Sequence, residues 1–207
     1  LCCVRIAVAC DVAKARTLDS FRQLPKAGDK SVSYTQKPLL SEALLDRNTT
    51  KEDLLAGVSL LAKVVGKPGL DKTNTPLLAS TGIGGSGKTT FLNLIEFGIG
   101  DIHLHGDVLG AIQGQCSAVA QLVVVMASMN QRSTFCLEED PEKAIISRCL
   151  CDHLKVESFQ SDWSKTLPQQ IDNLTKFAAW LREDAAPPDG EPGNVAVVIL
   201  VDEVVKM

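Results

Sequence analysis

Little in this chain speaks for a secreted scaffold, a membrane protein or a dedicated nucleic-acid binder. Its seven cysteines (Cys2, Cys3, Cys10, Cys116, Cys136, Cys149 and Cys151) are odd in number, scattered, and free of any C-x-x-C pair. That argues against a disulfide framework or zinc knuckle and for reduced thiols in an intracellular protein, cytoplasmic or nuclear. No apolar run approaches the roughly 18 residues of a membrane span. Leu1–Ala9 is no signal sequence, because Arg5 interrupts it, Asp11 follows closely and no basic segment precedes it. Basic excess is missing too: the net charge of −4 gives no electrostatic footprint for nucleic acid. With two tryptophans and one tyrosine, aromatics are scarce, and Trp163 and Trp180 read as core or rim residues rather than base-stacking platforms. Repeats and low-complexity tracts are absent.

What the chain does have is apolar residues, 45% of its 207, enough for the core of one domain with appendages. It opens on Leu1 and stops at Met207, and reads as a piece of a longer protein. Residues 1–48 form a poorly patterned leader, with a possible strand at Val4–Ala9 and a polar loop from Lys26 to Lys37. Residues 49–207 form the domain, incomplete at its C-terminus. Thr49-Thr50-Lys51-Glu52 is a capping box, and Leu54, Leu55, Val58, Leu61, Ala62 and Val65 then make one helical face, stopped by Gly66 and Pro68. Residues 101–118 stay open as mixed turn and short strand or helix. Gln121–Ala127 is the β-branched run of a strand buried on both faces. Asp140-Pro141 starts a helix with Ile145, Ile146, Cys149, Leu150 and Leu154 as its stripe. Thr166–Gln169 is a second capping box, opening a helix that turns Ile171, Leu174, Phe177, Ala178 and Leu181 inward and ends near Asp184. After an exposed loop at 185–194, Val195–Val201 is another buried strand.

The chemistry concentrates at Gly82-Ile83-Gly84-Gly85-Ser86-Gly87-Lys88-Thr89, which satisfies G-x-x-x-x-G-K-[ST]. Four constrained positions arise by chance in such a chain roughly once in a hundred, given Gly near 7%. Leu77-Leu78-Ala79 precedes the loop and a helix-compatible run, Thr90–Ile95, follows it. Strand, glycine loop and helix in that order build a nest of backbone N–H groups for nucleotide phosphates, reinforced by the helix N-terminus. Gly82, Gly84, Gly85, Ser86, Gly87, Lys88, Thr89 and Thr90 are therefore the expected nucleotide-binding residues. Lys88 reaches the β- and γ-phosphates as a point charge. Ser86 belongs to the nest rather than acting as a nucleophile.

The second element is Val195–Val201 running into Asp202-Glu203, which has the form of a Walker B strand. A carboxylate at the C-terminal edge of a parallel sheet lies where α/β folds bind ligands. Asp202 and Thr89 are the expected Mg²⁺ residues, Asp202 through water, because Mg²⁺ dehydrates reluctantly. Glu203 is the candidate for polarising the attacking water, and Glu203 and Lys88 form the expected catalytic pair. Other clusters read as structural. His103 and His105 are surface histidines lacking a third ligand. Cys149-x-Cys151 on a helix diverges by about 200° and cannot chelate jointly. Glu138-Glu139 and Glu183-Asp184 are solvated acids at element ends.

The run from Gly82 to Thr90 resembles the G-x-G-G-x-G-K-T-T loop of STAND-type ATPases, the NB-ARC and NACHT relatives of AAA+ proteins. Asp202-Glu203 resembles the Walker B of the additional-strand, catalytic-glutamate (ASCE) division. A weaker likeness, to protozoan P-loop proteins of the retrotransposon-hot-spot and Crinkler type, rests on the strand at 121–127, the helix at Ile146–Leu150 and Val201-Asp202-Glu203. The resemblance covers residues 77–97 and 195–203. It implies an α/β fold, the P-loop NTPase three-layer sandwich with a mostly parallel sheet, here C-terminally truncated. Lys88 and Thr89 would contact phosphate and Mg²⁺, Thr90 would neighbour the α-phosphate, and Asp202 and Glu203 would serve metal and water. The implied sheet order is 5-1-4-3-2, with strand 1 leading into the phosphate loop, strand 3 carrying Asp202 and strand 4 encoded beyond Met207. The 207 residues alone would then be marginal in stability.

The function expected is ATP binding and Mg-dependent ATP hydrolysis by a STAND/AAA-like regulatory P-loop ATPase. ATP is preferred over GTP by default, since no N-K-x-D tetrad is present. One alternative is an ATP-latched binding or scaffold module with negligible turnover; another is a P-loop small-molecule kinase. The partners expected are the nucleotide and, through missing regions, proteins or further copies of the chain, with no membrane and no nucleic acid.

Overall fold

Two β-branched segments make the centre of the molecule. In the computed structural model, which describes residues 17–26, 48–64, 88–96, 103–129, 139–156, 159–188 and 194–202, Gln121–Ser128 (β1) and Val195–Asp202 (β2) pair in parallel. Gln121 stands opposite Val195 and Ser128 opposite Asp202. Side chains alternate along a strand, and both faces of this sheet are covered. Val123, Val125 and Ala127 with Val197, Ile199 and Val201 belong to one core. Leu122, Val124 and Met126 with Ala196, Val198 and Leu200 belong to the other. Burial on both faces is why each segment reads as a continuous apolar run instead of an alternating one.

The helices are α1 (Leu18–Arg22), α2 (Asn48–Val64), α3 (Lys88–Glu96), α4 (His105–Gln113), α5 (Pro141–His153) and α6 (Leu174–Ala185). Helices α2, α3 and α4 form the second core, where Val58, Phe91, Leu94, Ile95, Val108 and Ile112 are buried. Helices α1, α5 and α6, with 3₁₀ turns at Ser161–Lys165 and Gln169–Ile171, form the first. The chain is thus a mixed helix–strand protein whose parallel sheet carries helices on both faces. Each fully buried Leu, Ile or Phe in these cores contributes about 1.5–3 kcal/mol. Among the described residues Cys116, Cys149 and Cys151 form no disulfide, and the last two are buried. Among the described residues no helix is long and apolar enough to cross a membrane.

Helix α5 starts where the sequence predicts. Asp140 is its N-cap, accepting the Lys143 amide at 3.0 Å, and Pro141 fills the first helical position. Helix α6 does not. The expected box at Thr166 is unused, because the Thr166 hydroxyl donates backward to the Asp162 carbonyl at 3.3 Å and Pro168 is extended. The helix begins at Leu174 instead. Asn173 caps it by accepting the Lys176 amide at 2.9 Å, and Glu142 of α5 accepts the Leu174 amide at 2.7 Å. Two orphan donors are satisfied, one of them from another helix.

Helix α2 begins at Asn48, one residue ahead of the expected cap, within the usual variation of helix ends. The open stretch 101–118 contains α4, so His105 sits in a helix rather than on a strand. Its Nε2 lies 3.2 Å from the Leu122 carbonyl on the outer edge of β1. Within the stretch read as leader, α1 packs on the domain: Phe21 is completely buried and meets Trp163 edge to face at 5.3 Å. Trp163 and Trp180 are both buried, as the sequence implies. The expected strands at Val4–Ala9 and Leu77–Ala79 lie outside the described residues.

Candidate functional site

Of the expected nucleotide loop, Gly82–Gly87 lie outside the described residues, as does Glu203. Lys88, Thr89 and Thr90 form the first turn of α3. The helix therefore opens at the lysine of the G-K-T-T run, the backbone register that an anion site at a helix N-terminus requires. Helix α3 packs against both strands, and its Phe91, Leu94 and Ile95 share a core with Met126 and Leu200.

Asp202 is the last residue of β2 and only 6% exposed. Ala196, Val198 and Leu200 face α3, so strand alternation puts Asp202 on that same face. Its register partner is Ser128, the last residue of β1, also buried. Pairing continues just past the strands, with the Met129 amide donating to the Asp202 carbonyl at 3.4 Å. A third buried polar residue lies on α3. Asn93, in the second turn of α3, is 3% exposed, and its Oδ1 has no hydrogen-bonding partner among the described residues. Sequence reading passed over Ser128 and Asn93. The signal available was a single polar residue ending, or interrupting, an otherwise apolar run.

At the other end of α3 a second polar cluster sits on the outer edge of β1. Asp152 of α5 accepts the Met126 amide at 3.1 Å through Oδ2. Lys155 lies 3.2 Å from the other Asp152 oxygen and 3.9 Å from Glu96 Oε1. The Glu96 side chain is 4% exposed. Loss of hydration, then the Asp152 charge and the hydrogen bond shared with it, push the Glu96 carboxyl up to about 10 against the pull of Lys155. Glu96 is thus a neutral acid at physiological pH. Lys155 itself has φ of 50°, left-handed backbone that favours glycine. It occupies the position after the α5 cap: the Val156 amide bonds the Cys151 carbonyl and the Lys155 amide the Asp152 carbonyl, both at 3.0 Å, a Schellman ending.

On the opposite face, Glu139 corrects the sequence reading, which took it for a solvated acid. It is buried and paired with Arg148, Nη2 to Oε2 at 3.2 Å, and the Ser164 hydroxyl donates to Oε1 at 3.0 Å. Arg148 also donates to the Ala144 carbonyl at 2.9 Å and lies 4.5 Å from the centre of the Phe159 ring. Asp184, by contrast, fits its expected place at an element end, bonded to Arg22 and to His153 Nε2 at 2.9 Å.

Among the described residues no group of three or more His, Cys, Asp or Glu side chains could hold a metal by itself. Asp202 and Ser128 stand at partner positions at the C-terminal ends of β2 and β1. No protein-family model, curated protein or solved structure matches the chain.

Proposed function

We propose that this chain is an ATP-binding, Mg²⁺-dependent ATP-hydrolysing P-loop domain of the ASCE division, STAND- or AAA-like, with the three-layer architecture of that class. One juxtaposition carries the reading. The G-x-x-x-x-G-K-T run ends at the residue where α3 begins, and α3 packs on the sheet face toward which Asp202 alternates. The order 5-1-4-3-2 also requires strands 2 and 3 to be parallel neighbours, and β1 and β2 satisfy that requirement.

In this reading the amides of the loop and of the first turn of α3 bind the phosphates, and the Lys88 ammonium pairs with the β- and γ-oxygens. Thr89 and Asp202 would hold a Mg²⁺ ion, Asp202 through water, and the ion would supply charge neutralisation on the β- and γ-phosphates. Glu203 takes a proton from the attacking water. The water oxygen forms its bond to the γ-phosphorus as the bond to the ADP oxygen breaks, releasing ADP and phosphate.

Two substitutions test this. Lys88→Ala removes a charged donor worth about 1.5–3 kcal/mol, so ATP affinity falls roughly ten- to a hundredfold. Glu203→Gln keeps binding and lowers turnover by about 10²–10⁴. Unchanged ATP titration of Lys88→Ala would refute the phosphate loop. A wild-type chain that binds ATP with negligible turnover would be a nucleotide-latched binding module.

A further inference from the structure

Three elements are tied together through two carboxyl groups at the outer edge of β1. Asp152 of α5 accepts the Met126 amide at 3.1 Å. Lys155, just past the end of α5, lies 3.2 Å from Asp152 Oδ1 and 3.9 Å from Glu96 Oε1. One ammonium spanning both oxygens sets the two carboxyls side by side, with side chains 17% and 4% exposed. Glu96 is the last residue of α3, and Met126 lies in the core to which Phe91, Leu94 and Ile95 of that helix belong.

Neighbouring buried carboxyls resist carrying two charges, so one of them holds a proton. Asp152 has the amide and the nearer ammonium contact to stabilise its charge, and Glu96 is the more deeply buried. The proton thus belongs on Glu96, in line with its rise to about 10. A protonated carboxyl donates where a carboxylate only accepts. Other titratable groups on the elements around α3 are engaged or set apart. His105 lies against the Leu122 carbonyl, Asp107 pairs with Lys51, and Asp202 ends β2. On α5, Arg148 pairs with Glu139 and His153 with Asp184, while the buried Cys149 thiol is pushed up by burial and by both carboxyls.

We infer that Glu96 and Asp152 form a proton-bridged clasp that seats the C-terminal end of α3 against α5 and β1, and that loss of the bridging proton loosens the helix on the strand. Glu96 is then a positioning residue for the helix whose first turn holds Lys88 and Thr89, and the clasp does not depend on what that turn binds. It is closed below the raised value and opens as pH rises through it.

The experiment is ¹³C-methyl NMR of the full chain labelled at methionine, followed from about pH 7 to pH 11. Met126 belongs to the core of α3 and Met129 to the opposite one, which makes Met129 an internal control. In the wild type the Met126 signal should shift with a midpoint near 10 while Met129 stays fixed. Lysines titrate in the same range. The deciding comparison is therefore Glu96→Gln, which keeps the size and a donor but has no proton to lose, so its Met126 signal should not shift. A step that persists in Glu96→Gln, or a wild-type signal that does not move, would overturn the clasp. If alkali unfolds the wild type, seen as joint collapse of both signals, spectra at pH 7 carry the test. Glu96→Gln should then overlay the wild type at Met126, whereas Glu96→Leu, which has no donor, should displace that signal, with Met129 fixed in both. Coincidence of all three Met126 signals, or a displacement in Glu96→Gln as large as in Glu96→Leu, would equally overturn it.

Discussion

Helix α5 carries one buried charge problem near its start and another at its end, and the two are solved in opposite ways. Near the start, Glu139 and Arg148 are each 2% exposed at the side chain, and both find partners: each other, Ser164, the Ala144 carbonyl and the Phe159 ring. At the end, Asp152 meets a second carboxyl, Glu96, and the cation paired with it among the described residues, Lys155, is 58% exposed and 3.9 Å from it. In the first cluster each polar group is met by a partner, so its burial is offset by pairing. In the second, taking up a proton is the cheaper route. Cys149 feels both: burial, then Asp152 and Glu96, push its thiol up while Arg148 opposes, so it stays an inert thiol. A buried ion pair resists removal of either partner, whereas a buried acid beside another acid is relieved when one of them is replaced.

The sharpest way to break this contrast is to strip the ion pair. Arg148→Met leaves Glu139 buried and uncompensated, and should cost about 3–5 kcal/mol in urea denaturation. The double variant Arg148→Met/Glu139→Met should recover much of that loss. A loss under about 1 kcal/mol for the single variant would mean that the pair is not an energetic unit.

Glu96→Gln should act in the opposite direction. The folded protein keeps the Glu96 proton up to about pH 10, while the unfolded chain releases it near 4.5. Across that window the folded state binds more protons, so wild-type stability falls as pH rises. The variant loses that slope. It should match wild type near pH 4.5 and exceed it by several kcal/mol, at most about 5, at pH 8, as read from denaturation midpoints. Equal pH profiles would show that Glu96 ionises in the folded state.

Lys155 sharpens the comparison from the strained side. Lys155→Met removes the ammonium and keeps the left-handed strain; Lys155→Gly removes both. The glycine variant should be the more stable of the two by about 1 kcal/mol in thermal unfolding. A smaller effect again is expected at the solvated counterpart. Burial opposes ionisation of Asp184, but hydrogen bonds from His153 and Arg22 outweigh it and hold the carboxyl below its ordinary value of 3.8. Its contribution is present above about pH 4 and is lost as pH falls through the lower folded value. Asp184→Asn should cost about 0.5 kcal/mol at pH 7 and nothing at pH 2. A cost above 2 kcal/mol would upset the ranking of buried over exposed clusters.

Legibility in the sequence followed the same divide between local pattern and tertiary pairing. Strands β1 and β2 were legible because both faces are buried, which leaves an unbroken β-branched run. The start of α5 was legible because Asp140 and Pro141 cap it locally. Helix α4 was not, since it holds Gly106 and Gly110 and its N-cap, Leu104, provides no side-chain hydrogen bond. The start of α6 was misread because a capping-box spacing also fits Thr166, whose hydroxyl turns the other way, while half of the true cap comes from Glu142 on another helix. Glu139 was misread for the same reason: an acid next to an N-cap looks solvated unless Arg148 is known to fold back over it. Of the candidate site, the residues with a motif (Lys88, Thr89 and Asp202) were named from sequence, whereas Ser128 becomes visible only once register sets it opposite Asp202.

The seating of α1 has a consequence measured in time. Arg22 bonds to Asp184 across 162 positions of chain, and Phe21 on the same short helix is wholly enclosed. At ribosomal speeds of about 5–20 residues per second, the apolar side of α1 waits on the order of ten to thirty seconds for its partners to be synthesised. Such distant closure is entropically late and intrinsically slow. During translation, then, Phe21 leaves the ribosome well before its partners and is exposed as an apolar residue available to a chaperone until they follow, and its insertion marks the completion of the first core.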